Sequence, residues 1–345
     1  MTTSTEAPSK RLSAASHEQP QWPPADNNSV HTVRFIVDLS SFLCVAWVWP
    51  MPILTNMFEP TKHGFYCDDM SIRYEYKRST IGTMYSWAAA GLLTFAVITS
   101  TETCEVLRES RVHRRLQADE RGCTARYRMF GRLRVPRLIV RCYTFASYFV
   151  FASVANVFVT QTMKFYISRL RPNYWAVCQP SNKTLALVAA RCAQPPMMDD
   201  YNGYIYGDEI ECTGTDKHLI REAQLSMPSG HASQSFCHAL FLMTYIRARF
   251  RWRLCGSKLV PSLAQLAVLC FSIFIALSRI TDNKHHWEDV LTGAIIGAVV
   301  GYWTITYVAY VFSYTQCNCD REHKPSSCDL RTAELRASKE IASRE

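Results

Sequence analysis

The sequence has no internal repeat and no tract that reads as a separate soluble domain, which argues against repeat arrays and appended soluble modules. Residues 1–32 have neither the charged n-region nor the apolar core of a cleaved signal peptide, so a disordered cytosolic tail is expected there. The C-terminus lacks a CaaX motif, so no prenyl anchor is expected. Acidic side chains are in deficit, 29 Asp and Glu against 38 Lys and Arg, for a formal charge of +9. Overall hydrophobicity is also low, with a mean hydropathy of −0.08. That average would suit a soluble protein, but it conceals how the apolar residues are arranged.

Those residues gather into six runs, at about 34–57, 81–100, 140–163, 232–247, 260–279 and 290–313. A bilayer-crossing helix needs about 20 mostly apolar residues. The expected fold is therefore all-α, a polytopic membrane helix bundle of six transmembrane helices over residues 33–313, with a cytosolic tail at 314–345. His238 interrupts the short fourth run, which reads equally as a buried core helix. Gly293, Gly297 and Gly301 are four apart and let a second helix approach one face, within the chain or between copies. Asp38 is explained by a position close to the cytosolic interface.

Charge sets the orientation. Segment 101–141 carries 11 Arg against 5 acids, and segment 246–258 carries 5 basic residues and no acid. By the positive-inside rule both are cytosolic. This accounts for most of the surplus charge without nucleic acid, and the stretch from Arg121 to Arg141 also suits anionic headgroups. Segment 173–227 has 4 basic against 7 acidic residues and should face the cell exterior or an organelle lumen. Cys67, Cys178, Cys192 and Cys212 fall on that side, where disulfides persist, although sequence leaves their pairing open. The sequon at Asn182 lies there too, whereas the one at Asn27 falls in the cytosolic tail and should go unused. Cys317, Cys319 and Cys328 are expected to stay reduced and unmodified.

Three short segments carry the chemistry: Lys164–Pro172 (KFYISRLRP), Pro228–His231 (PSGH) and Ser278–Asp289 (SRITDNKHHWED). With six spans, all three fall on one membrane face, as a single site requires. A phosphate monoester is roughly dianionic near neutral pH, and transfer of its phosphoryl group rests on positioned cations. Lys164, Arg171 and Arg279 supply three, the guanidinium forks matching phosphate oxygens and the ammonium acting as a point charge. Lys164 and Arg171 are seven apart, two turns of one continuous helix ending near Pro172, so they should share a face. A basic collar at a membrane boundary is the plainer reading of that segment alone.

Ser229 and Gly230 precede a long apolar stretch and should open a helix whose free N–H groups receive an anion. Ser229 could equally be an ordinary N-cap. His285 and Asp289, four apart at the start of another helix, should meet side by side, the carboxylate orienting the imidazole for attack on phosphorus. Neutral imidazole is available near its ordinary pKa of about 6.5. His286 and Glu288 invite a metal reading, but a divalent ion beside three cations is electrostatically awkward. Neither a metal nor a cofactor is expected.

In order and spacing, Lys-x6-Arg-Pro, Pro-Ser-Gly-His and Ser-Arg-x5-His-x3-Asp resemble the type 2 phosphatidate phosphatase superfamily at every signature position. The animal lipid phosphate phosphatases look most similar, over roughly residues 33–313 and in the runs GFYCDDMSIRYEYKRSTI and LSRITDNKHHWEDVLTG. The resemblance implies metal-independent hydrolysis of phosphatidate, lysophosphatidate, sphingosine 1-phosphate and ceramide 1-phosphate. It implies His285 as the phosphorylated nucleophile, Asp289 as its polarising partner, and His231 as the acid that protonates the leaving alcohol. Lys164, Arg171, Ser229, Gly230 and Arg279 would hold the phosphate, and Asn182, between the first two motifs, would carry sugar. The expected partners are the bilayer and its lipid phosphates, self-association staying open, at the plasma membrane or in an ER or Golgi membrane with the site extracellular or lumenal. Animal members often have Tyr where this chain has Pro228, which bears on subfamily placement. A catalytically silent lipid-phosphate binder, a phosphotransferase and a transporter are the competing readings. The first would need degraded motifs, which this chain does not have. Product analysis separates the second, and clustering of the charges at helix ends argues against the third.

Overall fold

The computed structural model describes residues 59–116, 127–129, 133–193, 203–249, 259–309 and 311. The first expected span, both tails, Asn27, Asp38 and Cys317, Cys319 and Cys328 lie outside them.

Among the described residues five long helices make the bundle: α1 (Thr83–Leu116), α2 (Arg137–Ile167), and, after an intervening region, α6 (Gly230–Arg249), α7 (Leu259–Thr281) and α8 (Trp287–Trp303), the last running into a π-helical turn at Thr304–Val308. Four of them are long and apolar enough to cross a membrane, over Thr83–Arg108, Leu138–Ile167, Leu259–Thr281 and Trp287–Val308. The chain is thus a mostly helical, multi-pass membrane protein.

α6 does not meet that standard, for a physical reason. It is the central helix, packed on α2, α7 and α8, and 12 of its 20 residues are buried. Its polar side chains face helices rather than lipid. Ser233 donates to Asn156 Oδ1 at 2.8 Å, Asn156 donates to Gln234 Oε1 at 2.8 Å, and His238 Nε2 lies 2.8 Å from Ser153 Oγ and 2.6 Å from Gln234 Nε2. Satisfied polar groups are tolerated inside a bundle although they lower its hydropathy.

The same logic extends α1. The apolar run, and the span expected from it, end at residue 100, yet the helix continues to Leu116. Glu102, fully buried, accepts from Tyr245 Oη at 2.9 Å and Arg249 Nη2 at 2.9 Å, with Arg141 Nη1 at 3.8 Å. Partners on α2 and α6 let carboxylates continue the helix.

The glycine stripe of α8 packs within the chain, against α6. A Cβ on Gly293 would lie 2.5 Å from the carbonyl oxygen of Ser229, and at Gly297 and Gly301 it would collide with the carbonyls of Ser233 and Cys237. Only hydrogen at these positions allows the approach that sets the start of α8 beside the start of α6.

The segments between spans fold as well. β1 (Phe65–Tyr66) pairs antiparallel with β4 (Tyr204–Ile205), Phe65 opposite Ile205. Short helices α3 (Tyr174–Cys178), α4 (Asn182–Cys192) and α5 (Lys217–Glu222) surround a core of Phe65, Ile72, Leu170, Tyr174, Ile205 and Ile220. Disulfides Cys67–Cys192 and Cys178–Cys212 staple this cap, settling the pairing. In the basic segment before α2, β2 (Tyr127–Met129) pairs with β3 (Leu133–Val135).

Candidate phosphate site

At the cap end of the bundle, the C-terminal ends of α2 and α7 meet the N-terminal ends of α6 and α8. Arg169 Nη1 donates to Asp289 Oδ1 at 2.9 Å, Ser229 N–H donates to the carbonyl of Asp289 at 2.9 Å, and a Cβ on Gly230 would stand 4.0 Å from Lys164 Cε. All three segments singled out by sequence therefore converge.

The first does so differently from the expectation. α2 ends at Ile167, and Ser168 takes a left-handed conformation at φ 44°, its N–H bonding the carbonyl of Lys164. The chain then leaves the helix axis, and Arg171 N–H donates to the carbonyl of Ala223 at 2.8 Å. Lys164 and Arg171 do not share a continuous helix. A capped turn and a backbone tether bring them together, because the cap region offers hydrogen bonds that another helical turn would forgo. Arg171 Nη2 donates to Glu222 Oε2 at 2.7 Å, while its buried Nε has no hydrogen-bond partner among the described residues.

The second segment matches its expected local geometry. α6 opens at Gly230, and the carbonyl of Ser229 accepts the helical bond from Ser233 N–H at 2.9 Å. Ser229 Oγ, however, is buried and makes no hydrogen bond among the described residues, so it does not cap the helix with its side chain. An orphaned hydroxyl at a helix N-terminus suits an anion. A Cβ on Gly230 would stand 4.0 Å from Lys164 Cε, so this turn lies against the lysine stem. His231 is partly exposed, with Nε2 3.4 Å from Thr83 Oγ1.

The third segment corrects another expectation. His285 is not helical. α8 begins at Trp287 with His286 as its N-cap, and a turn through Asn283, at φ 54°, precedes it. Helical i, i+4 contact between His285 and Asp289 is therefore absent. Asp289 instead caps its own helix, Oδ2 accepting from His286 N–H at 3.0 Å. Between carboxylate and imidazole stands Ser226, whose hydroxyl donates to Asp289 Oδ2 at 2.6 Å and lies 3.5 Å from His285 Nδ1. His286 Nε2 lies 3.1 Å from the carbonyl of Leu170.

Sequence reasoning passed over several groups here. Arg169 donates to Asp289 Oδ1 at 2.9 Å. Arg279, nearly inaccessible, donates to Asp282 Oδ2 at 2.5 Å, and Asp282 also accepts from Thr80 N–H at 2.7 Å and Thr80 Oγ1 at 2.6 Å. Lys284 is buried beside them. Arg169 and Lys284 lay within the two charged runs and could have been counted. Asp282 lay in the same run as Lys284, three residues from Arg279, whereas Ser226 and Thr80 carried no signal, because their roles depend on partners distant in sequence.

Burial first, and then the charges of Arg171, Lys164 and His231, hold the His285 imidazole well below its ordinary pKa, so it is neutral near pH 7. With the Ser226 hydrogen committed to Asp289, its oxygen can accept from His285 Nδ1–H, leaving the Nε2 lone pair free. Neutral imidazole, three cations and an orphaned hydroxyl form an arrangement suited to attack on a bound phosphate ester. Asn182 lies exposed as the first residue of α4, its helix capped by Ser181, while Thr184 of the sequon is buried.

The model of the PAP2 superfamily matches residues 145–313. Phospholipid phosphatase 2 of Rattus norvegicus is 32% identical over 300 residues, 85% of this chain and 95% of the rat protein. Phospholipid phosphatase 1 of Rattus norvegicus is 31% identical over 275 residues, 79% of this chain and 84% of that protein. Phospholipid phosphatase 2 of Homo sapiens is 30% identical over 280 residues, 81% and 85% of the two chains. No solved structure matches.

Proposed function

This chain belongs to the lipid phosphate phosphatases of the PAP2 superfamily, and from that premise we propose that it hydrolyses lipid phosphate monoesters through a phosphohistidine at His285, without metal. The observation that carries this reading is the buried His285 among Lys164, Arg171 and Arg279, cations from the first and third segments, with Ser229 and Gly230 of the second beside them. His285 Nε2 attacks phosphorus and the P–O bond to the lipid alcohol breaks. His231, whose pKa burial and then the charges of Arg279, Lys164 and Arg171 lower to about 3, is protonated once the phosphate dianion offsets those charges, and it gives that proton to the departing oxygen. His231 then takes a proton from water as that water attacks phosphorus, the P–N bond breaks, and inorganic phosphate leaves. Lys164, Arg171, Arg279, Ser229 and the N–H groups at Gly230 hold the equatorial oxygens throughout.

The substrates are phosphatidate, lysophosphatidate, sphingosine 1-phosphate and ceramide 1-phosphate, arriving from the bilayer with tails among the helices and phosphate at the interface. The site faces the cell exterior or an organelle lumen, with both termini cytosolic. Two disulfides in the cap and the basic inner segments support this orientation. Asn182 is then on the side where sugar is added.

The test is phosphate release from phosphatidate and lysophosphatidate by membranes carrying the wild type or His285→Ala, with excess EDTA. Release that resists EDTA and vanishes in the variant supports the proposal. Release that needs a divalent ion, or survives the substitution, overturns the mechanism, and a new phosphoester in place of free phosphate makes the protein a transferase.

A further inference from the structure

Lys284 occupies the turn between Arg279 and His285, with its N–H donating to the carbonyl of Arg279 at 3.0 Å and the residue 6% exposed. A buried ammonium needs a counter-charge or a full set of acceptors. Among the described residues no carboxylate lies within salt-bridge distance of it, and its recorded side-chain contact is the face of Tyr76, with Nζ 3.6 Å from the ring centroid. A ring face returns part of the lost hydration but supplies no net negative charge. Burial first, then the charges of Arg171 and Arg279, lower this ammonium to about 8 against the opposing pull of Asp282, a carboxylate already bonded to Arg279 and Thr80, so it remains mostly charged at pH 7. The two guanidiniums that act on it belong to the proposed phosphate cradle.

Tyr76 sits on the outer segment preceding α1, which is fastened to the same turn. Thr80 is bonded twice to Asp282, and Asn283 Nδ2 donates to the carbonyl of Glu75 at 3.1 Å. Thr83, where this segment enters α1, reaches His231. The ring is thus held over the lysine by contacts on both sides of it in sequence.

We propose that Lys284 is a fourth cation of the substrate-phosphate site, held in place for the anion by the ring of Tyr76. The assignment rests on reading the site as one for phosphate monoesters. Lys284 lies outside the spacing by which the three segments were recognised, and burial with no carboxylate in salt-bridge contact among the described residues distinguishes it from a surface lysine. The bound phosphate supplies negative charge beyond that of Asp282, which Arg279 and Thr80 already share.

The test uses the full chain in detergent, with inorganic phosphate as the probe. Its affinity is read by thermal stabilisation and, separately, by competitive inhibition of lysophosphatidate hydrolysis. Lys284→Met should weaken phosphate binding about tenfold to a hundredfold and lower kcat/KM by a similar factor, whereas Lys284→Arg should stay within about threefold. Tyr76→Ala, on an exposed segment and so a second variant should Lys284→Met not fold, should weaken phosphate about threefold to tenfold. Unchanged phosphate affinity in a folded Lys284→Met would overturn the assignment and leave Lys284 as a tether for the outer segment. In the absence of a folded Lys284→Met, unchanged affinity in Tyr76→Ala would do the same. Failure of the wild type to release phosphate would instead count against the hydrolase reading, and the binding measurement would still report on Lys284.

Discussion

Ser226 donates its hydroxyl to Asp289 at 2.6 Å and leaves its oxygen facing His285 Nδ1 at 3.5 Å, so carboxylate and imidazole communicate through a third side chain. Arg169 holds the other carboxylate oxygen, and His286 N–H the same one that Ser226 uses. The carboxylate that holds the Ser226 hydroxyl is itself fixed from two directions.

Ser226→Ala should therefore lower kcat about tenfold to a hundredfold with little change in KM, the range expected for one hydrogen bond to a charged partner. Steady-state kinetics on lysophosphatidate check this. Ser226→Thr, which retains a hydroxyl, should recover part of the rate, and equal loss in both variants would speak for a packing role.

The acid side of the rate profile follows from His285. In the proposed mechanism its neutral form attacks phosphorus, and burial with Arg171, Lys164 and His231 depresses its pKa. Activity should accordingly survive acidification through pH 6.5 and fall only below it. Removing a positive neighbour in Arg171→Gln should raise that pKa and move the acid limb of kcat/KM upward. The comparison is made on one substrate, so that the phosphate's own ionisation contributes equally to both profiles.

Substituting Gly293 or Gly297 by Ala should destabilise the bundle by about 1–3 kcal/mol, since the added methyl runs into carbonyls of α6. Gly293→Ala should also reduce activity, because the carbonyl it strikes is that of Ser229. Thermal unfolding in detergent beside a turnover assay would separate the two effects.

Loss of Cys67–Cys192, through Cys67→Ser with Cys192→Ser, should destabilise the cap by about 2–5 kcal/mol, as the bridge closes a separation of 125 residues. Limited proteolysis within residues 59–82 should become faster than in the wild type. Unchanged cleavage would mean that β1–β4 pairing, the apolar core and the Cys178–Cys212 bridge hold the cap without it.

Asn182→Gln should increase electrophoretic mobility of protein from eukaryotic cells, matching the shift produced by enzymatic deglycosylation of the wild type. Activity should be retained, since Asn182 lies at the start of α4 and not among the groups assigned to phosphate binding or proton transfer. An unshifted band would remove the glycosylation proposal and weaken the outward orientation.

Sequence by itself determined the chemical inventory of the site and its assembly from three segments. Charge and residue type survive any folding, and Lys164, Arg171, Ser229, Arg279 and His285 are informative before any contact is known. Apolar run length also determined four helices that meet a lipid-facing standard, because facing lipid is a property of composition. Tertiary structure decided what depends on partners. Ser233, Gln234 and His238 depress the hydropathy of α6 but are satisfied inside the bundle, and Glu102 carries α1 beyond its apolar run by meeting Tyr245 and Arg249. It also decided two relations that helical periodicity misjudged. Lys164 and Arg171 are joined through a left-handed cap, and His285 lies before α8 with Ser226 between it and Asp289. Periodicity describes an uninterrupted helix, whereas each of these chain segments leaves its helix where hydrogen bonds from a distant part of the sequence stabilise a turn.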